Sequence, residues 1–416
     1  MPSFSIPLSG LTASSTALST IANNLANLNT IGYKDMRVLF SDLFYQTLGS
    51  NGAGDPIQQG AGATVGSMPT MFTQGNVNPT GVATDVAIMN DGFFIVQGNG
   101  VQSYTRAGNF EIDKNNNLVT ADGQSVMGYP AVKGKISTGQ GLTALQLAMG
   151  TISPPTATSY TQLSTNLDAT APSATAYSAP ITIYDSLGAT HNLMFTYTKT
   201  GTNAWSYSIS IPKADVNGST DPTVLKSGTL TFDGNGNLLT VDGNTPANVS
   251  GIAITGFADG ASNLTFTWKL FDSNGKAVLT QLAAASSTAS TQQDGSSSGT
   301  LTKYSIGSDG TITGSFSNGN TAVLGQIALA TFANNQGLLR DGSNCFSETL
   351  SSGQAVIGAP GTGGRGTLSG GALEQSNVDI SQEFSNLIVA ERAFQANARC
   401  VTTFDEITQA TIDLKR

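Results

Sequence analysis

Apolar side chains recur at intervals of seven near both ends of the chain and at intervals of two through its middle. Leu11, Leu18 and Leu25 are seven apart, with Ile21 and Leu28 each three residues after one of them. Such an a/d seam predicts a helix, with Ser9 as its N-cap and Gly32 as its stop after Asn29. Towards the C-terminus, Ile380, Leu387, Phe394 and Val401 repeat the spacing, supported by Phe384, Phe404 and Ile407. Ser376 or Asn377 is the expected cap there, and Asp379 supplies an acid where the helix dipole favours one. The predicted helix covers 378–414, with Lys415 and Arg416 closing its basic end.

Between these helices the period changes to two. Residues 85–129 read as short strands around Asp-Gly and Asn-rich turns, and 301–339 have the same texture. "WSYSISI" sets Trp205, Tyr207, Ile209 and Ile211 on one face and serines on the other; "LTFTWKL" does so with Leu264, Phe266, Trp268 and Leu270. Strict alternation means sheets with one buried and one wet face. Two polar stretches, 150–159 and 285–300, read as linkers bracketing an independent β module.

Composition sharpens the picture at the N-terminus. Lys34 carries the first side-chain charge, so the predicted helix has a polar face of Thr12, Ser15, Thr16, Ser19, Asn23 and Asn27 without one Asp, Glu, Lys, Arg or His. Solvated helix faces usually carry Glu and Lys; depletion of charge marks surface that a partner covers. Across the chain only 11% of residues are charged and the net charge is −9. No basic patch is visible, which argues against nucleic acid as a partner. No run of 18 apolar residues predicts a membrane span, and no basic n-region with an apolar h-region marks a cleavable signal. Cys345 and Cys400 are expected to be two reduced, mostly buried thiols.

Several spellings of enzyme motifs lack their context. "GTGGRG" (361–366) matches G-x-G-x-x-G but leads into "TLSGG", which cannot start a helix, so it reads as a flexible linker. "GSSSG" around Ser297 lies in a low-complexity run rather than at a strand-to-helix turn. His191, the one histidine, reads as a surface residue. "DKNNN" (113–117) and "DGNGN" (233–237) begin like calcium loops, but Leu118 and Leu238 replace the turn glycine, and Gln124 and Asn244 the bidentate Glu. They read as hairpin turns. No catalytic, cofactor-binding or metal-binding constellation is predicted.

"ANNLANLNTIGYK", "DVAIMNDGFFIVQ", "YTRAGNFEIDKNNNLVTADGQSVMGY" and "GALEQSNVDISQEFSNLIVAERAFQANARCVTTFDEI" closely resemble the family of bacterial flagellar rod and hook proteins. "NGNTAVLGQIALATFANNQGL" is similar to the hook branch of that family. The resemblance covers both ends, 85–130 and 300–375, and is weak between 160 and 295. It marks Asn23, Asn24, Asn27, Gly32 and Tyr33 as family-motif residues. The implied fold is multidomain: a coiled-coil-like inner domain of paired terminal helices (1–30 and 376–416), a connecting stretch (31–70), a discontinuous β domain (71–155 and 300–370) and an inserted outer β domain (156–299).

The resemblance implies a structural subunit rather than an enzyme. It would polymerise into a curved, flexible extracellular tube that passes torque to the flagellar filament around a central export channel. Its partners would be copies of itself and the other axial proteins: distal rod, hook cap and hook–filament junction. Export would run through the flagellar type III apparatus. Alternatives are the distal rod protein, which lacks a large outer insertion, and, from another class, a secreted β-rich adhesin. The expected assembly residues are Leu11, Leu18, Ile21, Leu25 and Leu28 against Ile380, Phe384, Leu387, Phe394, Val401 and Phe404, and the ends are expected to order on polymerisation.

Overall fold

A computed structural model describes residues 4–132, 134–218 and 220–414; Lys415 and Arg416, expected in the last helical turn, lie outside the described residues. The fold is mostly β, with a helix near each end: α1, Ser5–Ala26, and α2, Ile380–Asp413. Two compact units divide the chain: Met1–Ala148 with Tyr304–Gly314 and Ala322–Arg416, and Met149–Lys303 with Ser315–Thr321.

The helix ends differ from expectation. Ser9 lies inside α1 rather than capping it; its hydroxyl donates to the Ile6 carbonyl at 2.7 Å and accepts from the Ala63 N–H at 3.2 Å. α1 stops well before Gly32, where the Asn27 carboxamide donates to the Asn23 carbonyl at 2.9 Å. At α2, Asp379 is the cap instead of Ser376 or Asn377, its carboxylate accepting from Ser381 N at 2.8 Å and Gln382 N at 3.2 Å. Asn377 cannot cap because its carboxamide holds Asp35 N and the Met71 carbonyl.

In the first unit, antiparallel strands Thr321–Ile327, Ser125–Val132, Phe93–Gly98, Val101–Thr105, Cys345–Ser347 and Leu339–Gly342 lie side by side in that order. "FFIV" does not alternate wet and dry. Phe94 and Val96 enter one core with Val86, Ile88, Phe110 and Val126, while Phe93 and Ile95 enter another with Tyr104, Met127 and Phe346. This sheet is buried on both faces. Val86–Met89 pairs with Thr367–Gly370, and Val77–Pro79 with Ala372–Glu374, so the residues before α2 are zipped to the early chain. "GTGGRG" is not a flexible linker: Gly361 N bonds Gly366 O, Gly366 N bonds Asp91 O, and Arg365 Nε reaches the Ala359 carbonyl. The stretch from 39 to 67 folds as two hairpins, Leu39–Asp42 with Ala63–Ser67 and Gln46–Ser50 with Pro56–Gln59. Cys345 is buried, but Cys400 is exposed, because it falls off the seam that Asn397 and Val401 occupy.

The second unit holds two sheets. Ala176–Tyr184, Thr190–Gly201, Ala204–Ile211, Thr223–Phe232 and Leu238–Val241 form an antiparallel meander. The other sheet centres on Tyr160–Asp168, parallel to Leu264–Lys269 and Leu279–Leu282 and antiparallel to Ser287–Gln293. Trp205, Tyr207, Ile209 and Ile211 from the first sheet meet Leu264, Phe266, Trp268 and Leu270 from the second in one core. Ser287–Gln293 falls in the stretch read as a low-complexity linker. It forms a strand because its neighbour supplies the backbone partners and its face stays in water, so Ser, Thr and Gln suffice. His191 is buried at 5% exposure rather than lying on the surface, since its strand's alternation carries it to the packed side. Asp113 and Asp233 close hairpin turns, each accepting backbone N–H bonds from residues two and four on; the bond from the residue four on is the largest of the causes that lower each carboxyl pKa.

Candidate assembly interface

α1 and α2 pair antiparallel. Phe4 meets Phe404 edge-on at 6.0 Å, a side chain at Gly10 would strike Asn397, and Asn24 faces Glu383. On α2 the half-buried residues include Leu387, Ala390, Phe394, Asn397, Val401 and Phe404, a spacing of three and four. Continued one turn back, that row places Glu383, not Phe384, on the covered face: Glu383 is 8% exposed and Phe384 52%. Ile380 is also exposed, as are Ile388, Val389 and Ile407. On α1, Ile21 is buried together with Pro7, Ala13, Ser14, Thr20 and Asn24, whereas Leu11, Leu18 and Leu25 are half-exposed, as is Leu28 in the turn that follows. Small residues line α1 because Ala63–Ser67 also packs against it.

The motif after α1 is a clamp. The fully buried Asn24 carboxamide donates to Met36 O at 2.8 Å and accepts from Met36 N at 3.1 Å, as a strand would. Tyr33 donates its hydroxyl to Asn24 Oδ1, and Asn23 donates to Tyr33 Oη, both at 3.2 Å. Gly32 takes φ +67° and donates its N–H to Glu374 O at 2.8 Å; a Cβ there would lie 2.6 Å from the Arg106 carbonyl carbon. Arg340 stacks 5.3 Å from the Tyr33 ring and donates to the Lys34 carbonyl.

Beneath this turn lies an ion pair with no exposure on either side chain. Lys34 Nζ donates to Glu374 Oε1 at 2.6 Å and to Thr73 O at 2.7 Å, while Arg106 Nε stands 3.9 Å from Glu374 Oε2. Burial pulls the Lys34 ammonium below its ordinary pKa, opposed by the Glu374 charge, and burial lowers Arg106 as well. Burial pushes the Asp35 and Glu383 carboxyls up, and Glu383 Oε2 has no hydrogen-bond partner.

Sequence reasoning singled out Asn23, Asn24, Asn27, Gly32 and Tyr33, and the structure brings them together at one turn. It missed Lys34, Arg106, Arg340, Glu374 and Glu383. A usable signal existed for two of them: Lys34 ends the charge-free stretch, and Glu374 is the lone charge of "SGGALEQSN".

Four family models match successive parts of the chain: Flagella basal body rod protein over residues 6–34, the Flagellar hook protein FlgE/F/G D1 domain over 87–166, the Flagellar basal body protein FlaE D2 domain over 154–296, and the Flagellar basal body rod FlgEFG protein C-terminal over 369–414. Flagellar hook protein FlgE of Escherichia coli K12 is 36% identical across 99% of this chain and 100% of its own length. The corresponding protein of Salmonella typhimurium is likewise 36% identical, and that of Treponema pallidum 32%, the latter over 98% of both chains. The crystal structure of Helicobacter pylori flagellar hook protein FlgE2 has a similar fold, with a TM-score of 0.53 at 17% identity, covering 72% of this chain and all of that one.

Proposed function

This chain belongs to the flagellar hook protein family, and on that premise we propose how it builds the hook, of which it is a structural subunit located at the flagellum. The observation that carries the reading is an unfinished helix pair. α1 has no charged side chain, and α2 leaves Ile380, Phe384, Ile388, Val389 and Ile407 in solvent. Neighbouring copies cover these residues. A heterologous contact repeated around an axis does not close, and it generates a helical tube.

Leu11, Leu18, Ile21 and Leu25 of α1 and Leu28 just beyond it, with Ile380, Phe384, Leu387, Phe394, Val401 and Phe404 of α2, form the inner wall around an export channel. A groove of ≈ 640 Å³ between α1, the 35–40 segment and α2, lined by Ile21, Met36, Phe40 and Val389, receives an apolar segment of the next copy. The outer β module touches neighbours through surfaces poor in charge and rich in Gly, Ser, Thr and Asn, which slide at small cost. Gly49, Gly52 and Gly54, around the open tip of a hairpin, absorb changes of angle. Stiff inside and compliant outside, the tube bends while turning, as a universal joint. The other axial proteins, distal rod, cap and junction, meet its two ends, and the chain is exported through the type III apparatus. No described helix is long and apolar enough to cross a membrane.

Electron microscopy of the purified chain under assembly conditions tests this. Curved tubes are expected from the parent, and monomers with folded β units from Leu18→Asp and Phe394→Asp. Normal tubes from both variants would refute the helix assignment, and straight rigid rods from the parent would refute the bending one.

A further inference from the structure

Within the second unit, one buried imidazole sits among three carboxylates. Asp185 follows the strand Ala176–Tyr184, His191 lies near the start of Thr190–Gly201, Asp215 ends a short 3₁₀ turn, and Asp259 follows Val249–Ile254 in the other sheet. His191 Nε2 stands 3.2 Å from Asp185 Oδ2 and 3.9 Å from Asp259 Oδ2, and Nδ1 stands 3.6 Å from Asp215 Oδ2. The ring packs against Phe257 at a tilt of 39°, centroids 4.7 Å apart. Backbone bonds from Ala258 N to Asp215 O and from Asn217 N to Gly256 O fix the two loops that carry Asp215 and Asp259.

Two features of this cluster bear on what it could hold. Three carboxylates face one imidazole, and among the described residues no Lys or Arg forms an ion pair with any of them. Independently, the His191 side chain is 6% exposed and its Nδ1 is buried without a hydrogen-bond partner. A neutral imidazole offers one lone pair and one N–H. Nε2 already lies within hydrogen-bond distance of Asp185 Oδ2, the donor there depending on the tautomer; with the proton on Nδ1, the Nε2 lone pair is left to the side that holds Asp185 and Asp259.

We infer that Asp185, His191 and Asp259 form a binding site for a divalent first-row transition ion such as Zn²⁺. Ligands about 2.1 Å from such an ion sit roughly 3.4 Å from one another in tetrahedral geometry. The observed 3.2 and 3.9 Å already approximate that. Asp215, its Oδ2 3.6 Å from Nδ1, is the outer carboxylate that would take the Nδ1–H once an ion occupies the site, an arrangement general to metal-bound histidines. Asp259, one-third exposed, opens the remaining coordination position to water. The imidazole ligand selects against Ca²⁺ and Mg²⁺, which prefer oxygen alone. The ion ties a hairpin turn of one sheet to a loop of the other and staples that end of the module.

Titration calorimetry of the full chain with zinc chloride, and separately calcium chloride, tests the site. One Zn²⁺ per chain is expected, weakened at least tenfold in His191→Gln and in Asp259→Asn, with Ca²⁺ at least tenfold weaker than Zn²⁺. Metal-free melting of Asp259→Asn, measured beside the parent, separates lost binding from lost folding. Co²⁺ substitution should give d–d bands without a thiolate charge-transfer band. Zn²⁺ binding that survives both variants, disappears in Cys345→Ser or Cys400→Ser, or never exceeds that of His191→Gln would overturn the assignment, as would equal binding of Ca²⁺.

Discussion

Lys34 and Glu374 meet 2.6 Å apart with neither side chain exposed, although 340 positions separate them along the chain. Glu374 also accepts the Gly75 N–H at 2.9 Å, and its own strand, Ala372–Glu374, pairs with Val77–Pro79. One carboxylate thus joins the turn after α1, the early β segment and the strand leading into α2. Breaking the pair from the lysine side leaves the buried Glu374 charge with only Arg106, 3.9 Å away, to oppose it. Lys34→Met should therefore destabilise the chain by about 3–5 kcal/mol. Lys34→Met with Glu374→Gln removes both charges, keeps an acceptor for Gly75, and should recover part of that loss. Urea unfolding of the parent and the two variants decides it; an unchanged midpoint in Lys34→Met would refute the clamp.

Gly32 occupies a left-handed conformation against the backbone of Arg106 and Ala107. Gly32→Ala must both strain the turn and push that backbone away, so it should cost more than about 1 kcal/mol. Gly52→Ala, where nothing lies within 4 Å of an added Cβ, should be neutral or slightly stabilising. Thermal melting of the pair compares a glycine that is required with one that is not.

Glu383 gives the helix pair a pH dependence. Burial raises its carboxyl pKa, so the folded state holds this proton more tightly than the unfolded state does. Its stabilising contribution is present at acid pH, below the unfolded value, and is lost as pH rises through the folded value. Glu383→Gln should therefore raise the melting temperature at neutral pH by about 2 °C, a gain that vanishes near pH 4, where both side chains are neutral. An equal gain at both pH values would show that the charge is not the cause.

Val389 is 68% exposed. Val389→Asp should leave the single chain's stability within about 0.5 kcal/mol of the parent, as solvent-facing changes do. If neighbouring copies cover this face, the same change should abolish tube formation in the electron microscope. Loss of assembly together with loss of chain stability would instead place Val389 in an intrachain contact.

Periodicity and turn chemistry are local, and they were enough to reveal two terminal helices though not their caps, the alternating strands of the module holding Trp205 and Trp268, and the hairpin turns at Asp113 and Asp233. The motif residues Asn23, Asn24, Asn27, Gly32 and Tyr33 were legible as a group, though not what they bond. Tertiary structure decided the rest, for reasons of distance and environment. Glu374 reaches Lys34 only after Ala372–Glu374 finds its partner strand, and a buried glutamate looks like any other in a sequence. Ser287–Gln293 becomes a strand because Tyr160–Asp168 offers it hydrogen bonds, not because its own residues demand it. The same holds for His191: one histidine among scattered aspartates has no meaning until two sheets fold Asp185, Asp215 and Asp259 around it.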